Sequence, residues 1–224
     1  ALAEGLYPHQ LEGVAFLLGR RRALLTDDMG LGKTRQSIIA LTEASERGPY
    51  LVVCPASLKR NWVREIEIVL PEPKCAIVGP AEMPPEDFDG WVVLNYDILD
   101  KHLAELLSRG WSGIVFDEAH YLKNYRSKRS RAALRLVREI PGDPVVHALT
   151  GTPLTNRPRD LFPLLQIADH PLGRSFASFA KRYCDGFQSD YGLVADGATN
   201  LDELVVQLHG VMLRRTKDEV LDLP

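Results

Sequence analysis

A glycine-rich segment near the start of the chain constrains the fold more than any other feature. It reads Asp27-Asp28-Met29-Gly30-Leu31-Gly32-Lys33-Thr34 and lies between the apolar runs 23–25 and 37–41. This order is typical of a strand, a turn and a helix. Glycines let the turn wrap closely around an anion, and the N–H groups of the helix N-terminus point at it. The segment predicts a phosphate-binding loop for a nucleoside triphosphate, with contacts from Asp28, Met29, Gly30, Leu31, Gly32, Lys33 and Thr34.

Two side chains of this loop carry the chemistry. Lys33 neutralises phosphate charge, and Thr34 offers its hydroxyl to Mg²⁺. The loop departs from the strict pattern G-x-x-x-x-G-K-[ST], because Asp27 stands where the first glycine should be. A Gly-Lys-Thr tripeptide by itself also fits a plain turn between a strand and a helix. Residues further along the chain are needed to distinguish a phosphate-binding loop from a plain turn.

An acidic pair follows a later apolar run. The run 114–116 has the continuous apolar character of a buried strand, and Asp117 and Glu118 come directly after it. Carboxylates at the end of a parallel strand face the crevice that also holds a phosphate loop. Asp117 can then hold Mg²⁺, and Glu118 can orient and deprotonate the attacking water. Such a pair could also be a helix cap with a solvated neighbour, but together with Lys33 and Thr34 it favours a nucleotide site.

Composition bounds the remaining possibilities. The 224 residues carry a formal net charge of -3, so a surface for nucleic acid must be local. Three widely spaced cysteines indicate neither a disulfide framework nor a zinc site. No apolar stretch approaches the roughly 18 residues that span a bilayer, and no secretory pattern opens the chain. We expect no membrane partner and a cytoplasmic, nucleoid-associated location in a bacterium, or a nuclear one in a eukaryote.

Short apolar runs alternate with helical patterns along the chain. They occupy positions 24–25, 51–54, 76–78, 91–94, 114–116 and 145–149. Such alternation predicts an α/β fold with a mostly parallel sheet sandwiched by helices, which is a RecA-like layout. Helices are predicted at 57–70, 97–108, 127–139, 161–167, 176–183 and 201–208, with a first helix that begins at Pro8 and turns Leu11, Val14, Ala15 and Leu18 inward.

The chain changes character in its last third. No further strand is expected in the loop 185–200 or anywhere before the run 211–213. We therefore predict a RecA-like ATP-binding lobe at 1–164, a helical appendage at 165–210 and a closing segment at 211–224.

Four further segments point to one family. They are Leu6-Tyr7-Pro8-His9-Gln10, Val53-Cys54-Pro55-Ala56-Ser57-Leu58, Leu149-Thr150-Gly151-Thr152-Pro153 and Met212-Leu213-Arg214-Arg215-Thr216-Lys217-Asp218-Glu219-Val220. With DDMGLGKT and DEAH they resemble the first motor lobe of the Swi/Snf family of DNA-dependent ATPases, in helicase superfamily two. The segments 182–185 and 200–204 are most similar to its annealing-helicase branch.

The resemblance implies roles beyond the phosphate loop. The family usually has an acidic residue where Asp27 stands, and it assigns Gln10 to adenine recognition. Thr150, Gly151 and Thr152 correspond to the motif that links the ATP site to DNA, its hydroxyls bonding the metal-site carboxylates. His120 would mediate similar cross-talk. ATP and Mg²⁺ are the implied ligands, and duplex DNA, bound through its phosphate backbone, is the implied partner.

Several of these residues have plainer alternatives. Pro55 and Ser57 end a strand, where Ser57 could hold a nucleic-acid phosphate or cap the next helix. A Gly-Thr-Pro sequence is also a common turn. The basic cluster Lys123, Arg126, Lys128, Arg129 and Arg131 could track a DNA backbone or form a solvated helix face. The three tryptophans are interpreted as packing residues.

The resemblance also implies a partner lobe. In this family a second RecA-like lobe completes the site with arginine fingers, and we expect that lobe to be absent here because the sequence ends at Pro224. An isolated first lobe should then bind ATP weakly and hydrolyse it poorly. The alternatives are another superfamily-two motor, such as an RNA helicase or restriction translocase, and a non-catalytic nucleotide-binding scaffold.

Overall fold

A seven-stranded sheet forms the centre of the molecule, and every strand pair in it is parallel. The computed structural model describes residues 2, 4–152, 157–190 and 192–220. The strands of the sheet are β1 (Arg22–Leu25), β2 (Tyr50–Cys54), β3 (Cys75–Ile77), β4 (Trp91–Asn95), β5 (Gly113–Phe116) and β6 (Val145–Leu149), and later β9 (Met212–Leu213). A separate antiparallel pair consists of β7 (Phe187–Ser189) and β8 (Gly192–Val194). The order across the sheet is β3-β4-β2-β5-β6-β1-β9.

The central strands are mostly apolar because both faces of the sheet are covered. Every residue of β2, β4, β5 and β6 is buried. Alternate residues point to opposite faces, so that Leu51 and Val53 join one apolar cluster and Val52 and Cys54 the other. The predicted α/β architecture, with helices on both sides of a parallel sheet, is confirmed.

Ten helices surround the sheet in the described part of the chain. They are α1 (Pro8–Leu18), α2 (Lys33–Ala44), α3 (Lys59–Val69), α4 (Tyr96–Leu99), α5 (Leu103–Leu107), α6 (Lys128–Glu139), α7 (Pro158–Ile167), α8 (Phe176–Tyr183), α9 (Leu201–Leu208) and α10 (Lys217–Val220). Side chains of α1, α2 and α3 pack on one face, and those of α4 to α9 pack on the other. No described helix is long and apolar enough to cross a membrane.

The inward face of α1 differs from the prediction. Of the four predicted residues only Val14 is buried: Leu11 and Leu18 are each 44% exposed, and Ala15 is exposed too. Leu17 is buried instead. Gly13 explains the rotation, because a Cβ on it would stand 1.7 Å from the side-chain oxygen of Gln36 in α2. The side of α1 that carries Gly13 therefore packs against α2, and Leu11 and Leu18 face outwards.

Three other sequence predictions need correction. The predicted helix 97–108 is two short helices, α4 and α5, with buried His102 between them hydrogen-bonding to the carbonyl oxygen of Gly79 at 3.0 Å. Ser57 lies in a 3₁₀ turn, Ala56–Leu58, and caps no helix; residue 58 occupies the N-cap of α3. The loop 185–200 contains the hairpin of β7 and β8, whose short, exposed strands carry little apolar signal.

The last third of the chain packs directly on the sheet. Phe179, Tyr183, Leu204 and Leu208 belong to the same apolar cluster as Leu51 of β2. The closing segment pairs β9 with β1 in parallel and adds the seventh strand. The division into 1–164, 165–210 and 211–224 remains a prediction.

Candidate nucleotide-binding site

Three neighbouring strands bring the predicted site residues to one edge of the sheet. The order β5-β6-β1 places the acidic pair after β5, the segment 150–152 after β6 and the phosphate loop after β1. Because all three strands are parallel, these segments meet at the carboxyl edge, where ligands of open α/β sheets bind. Pro153 of the predicted motif lies outside the described residues.

The phosphate loop has the backbone that the glycines predict. Gly30 and Gly32 have φ values of +88° and +78°, a left-handed conformation that glycine adopts without strain. Gly32 is also the N-cap of α2, so the N–H groups of the first turn of α2 point towards the loop. A Cβ on Gly32 would stand 2.2 Å from the side-chain nitrogen of Gln10. The loop therefore needs glycine both for its conformation and for contact with α1.

Gln10 joins α1 to this loop. Its side-chain oxygen accepts a hydrogen bond from the Tyr7 N–H at 3.1 Å, and its nitrogen donates to the carbonyl oxygen of Leu31 at 3.4 Å. Gln36 donates to the same carbonyl oxygen at 2.9 Å. The residue assigned to adenine recognition is thus 8% exposed and lies beside the loop.

Lys33 folds back onto the loop. Its ammonium group donates hydrogen bonds to the carbonyl oxygens of Asp27 at 2.6 Å and Asp28 at 3.0 Å. Burial lowers the pKa of Lys33, although nearby carboxylates, with Glu118 the strongest, act in the opposite direction. Anionic phosphate is the ligand that would stabilise this partly desolvated cation.

Asp117 is held in one orientation by its surroundings. One carboxylate oxygen accepts a hydrogen bond from the Trp62 indole N–H at 2.8 Å, and the other from the Glu118 backbone N–H at 2.9 Å. Its carbonyl oxygen accepts a hydrogen bond from the Tyr96 hydroxyl at 2.7 Å. Burial raises the pKa of Asp117, and the Glu118 charge adds to this effect. A nearby cation would offset that penalty. Trp62 is buried, as predicted, but its hydrogen bond to the site was missed.

Glu118 has an unusual backbone conformation. Its φ and ψ are 48° and 49°, in the left-handed region that non-glycine residues rarely occupy. Such conformations cost about 1 to 3 kcal/mol and cluster at functional sites. A Glu118 carboxylate oxygen lies 3.2 Å from Nδ1 of His120.

The predicted link between Thr150 and the metal-site carboxylates is corrected by the position of His120. The hydroxyl oxygens of Thr150 and Thr152 lie 3.4 Å and 3.3 Å from Nδ1 of His120, and neither bonds a carboxylate within the described chain. The imidazole stands between the threonines and Glu118. Since Nδ1 bonds one of these oxygens at a time, His120 can exchange its hydrogen bond between the threonines after β6 and the Glu118 carboxylate.

Gly151 forms a second contact with the phosphate loop. A Cβ on Gly151 would stand 2.6 Å from Cγ of Met29 and 3.3 Å from Nζ of Lys33. Only a glycine permits this approach without displacement of the loop. The segment after β6 therefore contacts both the phosphate loop and, through His120, the acidic pair.

Most residues of the predicted nucleotide site line one cavity of about 330 Å³. The sequence-predicted residues that line it are Gln10, Met29, Gly30, Gly32, Lys33, Thr34, Asp117 and Glu118. Sequence reasoning missed Arg35 and a row on and before α3, namely Leu58, Asn61 and Glu65. The helical spacing of that row, directly after β2, is the signal that could have found it. Asp28 and Leu31 belong to the loop but do not line the cavity.

The donors around this cavity fit Mg²⁺. The Thr34 hydroxyl and the Asp117 carboxylate are hard oxygen ligands, and both residues line this cavity. Mg²⁺ is usually held by one or two carboxylates together with substrate phosphates. The other predicted DNA residues lie outside the cavity: Pro55 is buried at the end of β2, and Ser57 is exposed beside it.

Asp27 has a structural partner at the far end of the chain. Its two carboxylate oxygens accept hydrogen bonds from the Arg215 guanidinium at 3.1 Å and 2.5 Å, and Asp27 is fully buried. The same guanidinium donates to Gln36 at 3.2 Å and to the carbonyl oxygen of His9. We call this group the Arg215 clasp. It joins the closing segment to the phosphate loop, α2 and α1, which explains an acidic residue at the first-glycine position.

The sheet, the loop and the acidic pair define a phosphate-loop NTPase lobe of the RecA-like class. The family model described as "SNF2-related domain" matches residues 9–224, and the chain belongs to this family. The resemblance drawn from the sequence motifs is therefore confirmed.

Relatives and solved structures agree. The chain is 37% identical to the Drosophila melanogaster protein named SWI/SNF-related matrix-associated actin-dependent regulator of chromatin subfamily A-like protein 1, over 98% of this chain and 29% of the relative. It is 32% identical to mouse DNA annealing helicase and endonuclease ZRANB3, over 96% of this chain and 21% of the relative. The Sulfolobus solfataricus SWI2/SNF2 ATPase core in complex with dsDNA matches with a TM-score of 0.81 and 29% identity, over 98% of this chain and 47% of that chain. The chain thus spans about a third or less of these curated relatives and about half of that structure.

Proposed function

We propose that this chain is the ATP-binding first lobe of a DNA-dependent ATPase that moves along duplex DNA. The observation that carries the proposal is the convergence of Lys33, Thr34, Asp117 and Glu118 on one cavity. These are the groups that hydrolysis of a nucleoside triphosphate needs, namely a phosphate-binding cation, oxygen ligands for Mg²⁺ and a carboxylate base.

Each residue has a distinct task in this proposal. Gln10 recognises adenine, and the loop N–H groups with Lys33 bind the β- and γ-phosphates. Thr34 and Asp117 hold Mg²⁺, which neutralises phosphate charge when it is bound. Glu118 orients the attacking water and accepts its proton, so that catalysis is mostly positioning and charge neutralisation.

DNA enters the proposal through the family and through the coupling segment. A matched Sulfolobus structure is named as a complex with dsDNA. We assign Pro55 and Ser57 to contacts with the DNA backbone, and His120, Thr150, Gly151 and Thr152 to coupling between DNA and the ATP site. Binding through phosphates would be weak in the isolated lobe, sensitive to salt and independent of sequence.

A second lobe is part of the proposed machine. It would follow the closing segment, complete the ATP site and supply arginine fingers, which are worth about 10³ to 10⁵ in rate in related NTPases. We place the whole protein in the compartment that holds the DNA, the nucleus or the bacterial nucleoid.

The proposal is tested by ATP hydrolysis in a two-lobe protein that contains this chain. Duplex DNA should stimulate the native protein, and Glu118→Gln should lose about 10² to 10⁴ of the rate while it still binds ATP. Equal, negligible rates in both proteins would favour a scaffold without catalysis. Stimulation by RNA and not by duplex DNA would indicate an RNA helicase.

A further inference from the structure

Tyr121 is a large side chain that is exposed beside the acidic pair. It lies in the 3₁₀ turn Ala119–Leu122, directly after β5, and is 41% exposed. One face of its ring stacks on Tyr96, with ring centres 5.5 Å apart and planes 9° apart. Tyr96 follows β4 and is almost fully buried, at 2% exposure. The pair therefore joins a surface residue to the interior at the carboxyl edge of the sheet.

Both neighbours of Tyr121 contact the acidic pair. The Tyr96 hydroxyl donates a hydrogen bond to the carbonyl oxygen of Asp117 at 2.7 Å. The His120 ring centre lies 5.1 Å from that of Tyr121, and its Nδ1 lies 3.2 Å from the Glu118 carboxylate. A shift of the Tyr121 ring therefore has two short paths to the ATP site, one to each carboxylate-bearing residue.

The outer side of Tyr121 suits a phosphate. Its hydroxyl donates no hydrogen bond to any residue within the described ranges. The Arg129 guanidinium lies 5.7 Å from the ring centre and is 3.5 Å from Asp97, whose charge it partly balances. Lys123 and Arg126 are exposed in the segment that follows this turn. A phenol and guanidinium groups are typical partners of DNA phosphate oxygens.

We propose that Tyr121 is a positioning residue, through which a backbone phosphate of duplex DNA acts on Asp117 and Glu118. This inference rests on the proposed function of the site. The phosphate binds the Tyr121 hydroxyl, and the stacked ring fixes Tyr96 and His120 in the arrangement that hydrolysis needs. DNA binding and the placement of the two carboxylates are then linked, so that a change in one shifts the other.

Two substitutions separate the hydroxyl from the ring. Tyr121→Phe keeps the stack on Tyr96 but removes the group that binds phosphate, whereas Tyr121→Leu removes both. Because Tyr121 is 41% exposed and lies at the surface, both variants should fold, and circular dichroism checks this. Phe187→Leu on the hairpin of β7 and β8, where Phe187 is 57% exposed, is the matched control for loss of an exposed aromatic ring.

The assay measures ATP hydrolysis by the two-lobe protein as a function of duplex DNA concentration. We expect Tyr121→Leu to lower the rate at saturating DNA by about three- to tenfold, the rate equivalent of one lost aromatic pair. Tyr121→Phe should need more DNA for half-maximal rate but restore most of the maximum. Phe187→Leu should match the native protein in both quantities.

A second pair of variants tests the path through Tyr96. Tyr96→Phe should also lower the rate at saturating DNA, and its combination with Tyr121→Leu should cost less than the sum of the two single effects. Additive losses, or an unchanged maximal rate in Tyr121→Leu, would overturn the inference. A native protein that DNA does not stimulate would instead refute the proposed function, so the two failures are distinguishable.

Discussion

The Arg215 clasp predicts that a substitution in the closing segment destabilises the fold around the phosphate loop. Arg215→Met should destabilise the protein strongly, because the fully buried Asp27 carboxylate would lose the guanidinium that bonds both of its oxygens. Loss of one partner of a buried ion pair costs about 3 to 5 kcal/mol. That is a large share of the about 5 to 15 kcal/mol that holds a typical domain together.

Urea denaturation, followed by the fluorescence of the buried tryptophans, measures this cost. The double variant Asp27→Asn with Arg215→Met removes both charges, and we expect it to recover at least half of the lost free energy of unfolding. Arg135→Ala is the matched control, since it breaks an exposed ion pair with Glu139 and should leave the urea midpoint within error.

The clasp should also affect nucleotide binding. Asp27 carries the carbonyl oxygen that accepts a hydrogen bond from Lys33, so loss of Arg215 frees the loop as well as the closing segment. We expect weaker ATP binding in Arg215→Met at urea-free conditions where the variant is still folded. A loss of unfolding free energy below about 1 kcal/mol, the ordinary cost of a substitution, would refute the reasoning. So would a double variant no more stable than Arg215→Met.

Two further predictions concern the interior and the loop. Burial lowers the pKa of His147 from 6.5 to about 3, so its neutral form stabilises the fold fully above pH 6.5, and this contribution is lost as the pH falls towards 3. The double variant Ser37→Ala with His147→Leu removes both partners of a 2.8 Å hydrogen bond. Between pH 7 and pH 5 the free energy of unfolding, measured with urea, should fall by about 2 kcal/mol more in the native chain than in this variant. Parallel pH profiles of the two proteins would contradict this. Gly151→Ala should weaken ATP binding by about tenfold, measured with a fluorescent ATP analogue, because the new Cβ collides with Met29. Unchanged affinity would show that the contact is not needed.

The sequence predicted the parts of the site whose chemistry is local. The phosphate loop and the acidic pair can each be recognised from a few adjacent residues. Parallel strands necessarily bring their carboxyl ends to one edge of the sheet. The order of the strands then determined that the segment after β6 would lie between them.

The parts that were missed depend on partners far away in the chain. The rotation of α1 follows from contact between Gly13 and Gln36, and both possible rows of that helix contain leucines. The position of His120 between the threonines and Glu118 depends on side-chain geometry across two strands. The hydrogen bond of Trp62 to Asp117 was likewise hidden, because a buried indole is a packing residue in most proteins.

Calorimetric titration of ATP into this chain, with and without Mg²⁺, tests the central claim most directly. The account predicts one binding site whose affinity depends on Mg²⁺ and which is lost in Lys33→Ala but not in Lys181→Ala, an exposed lysine on α8. Equal ATP affinity in the native protein and in Lys33→Ala would contradict it, because the nucleotide would then bind somewhere other than the cavity between the loop and the acidic pair.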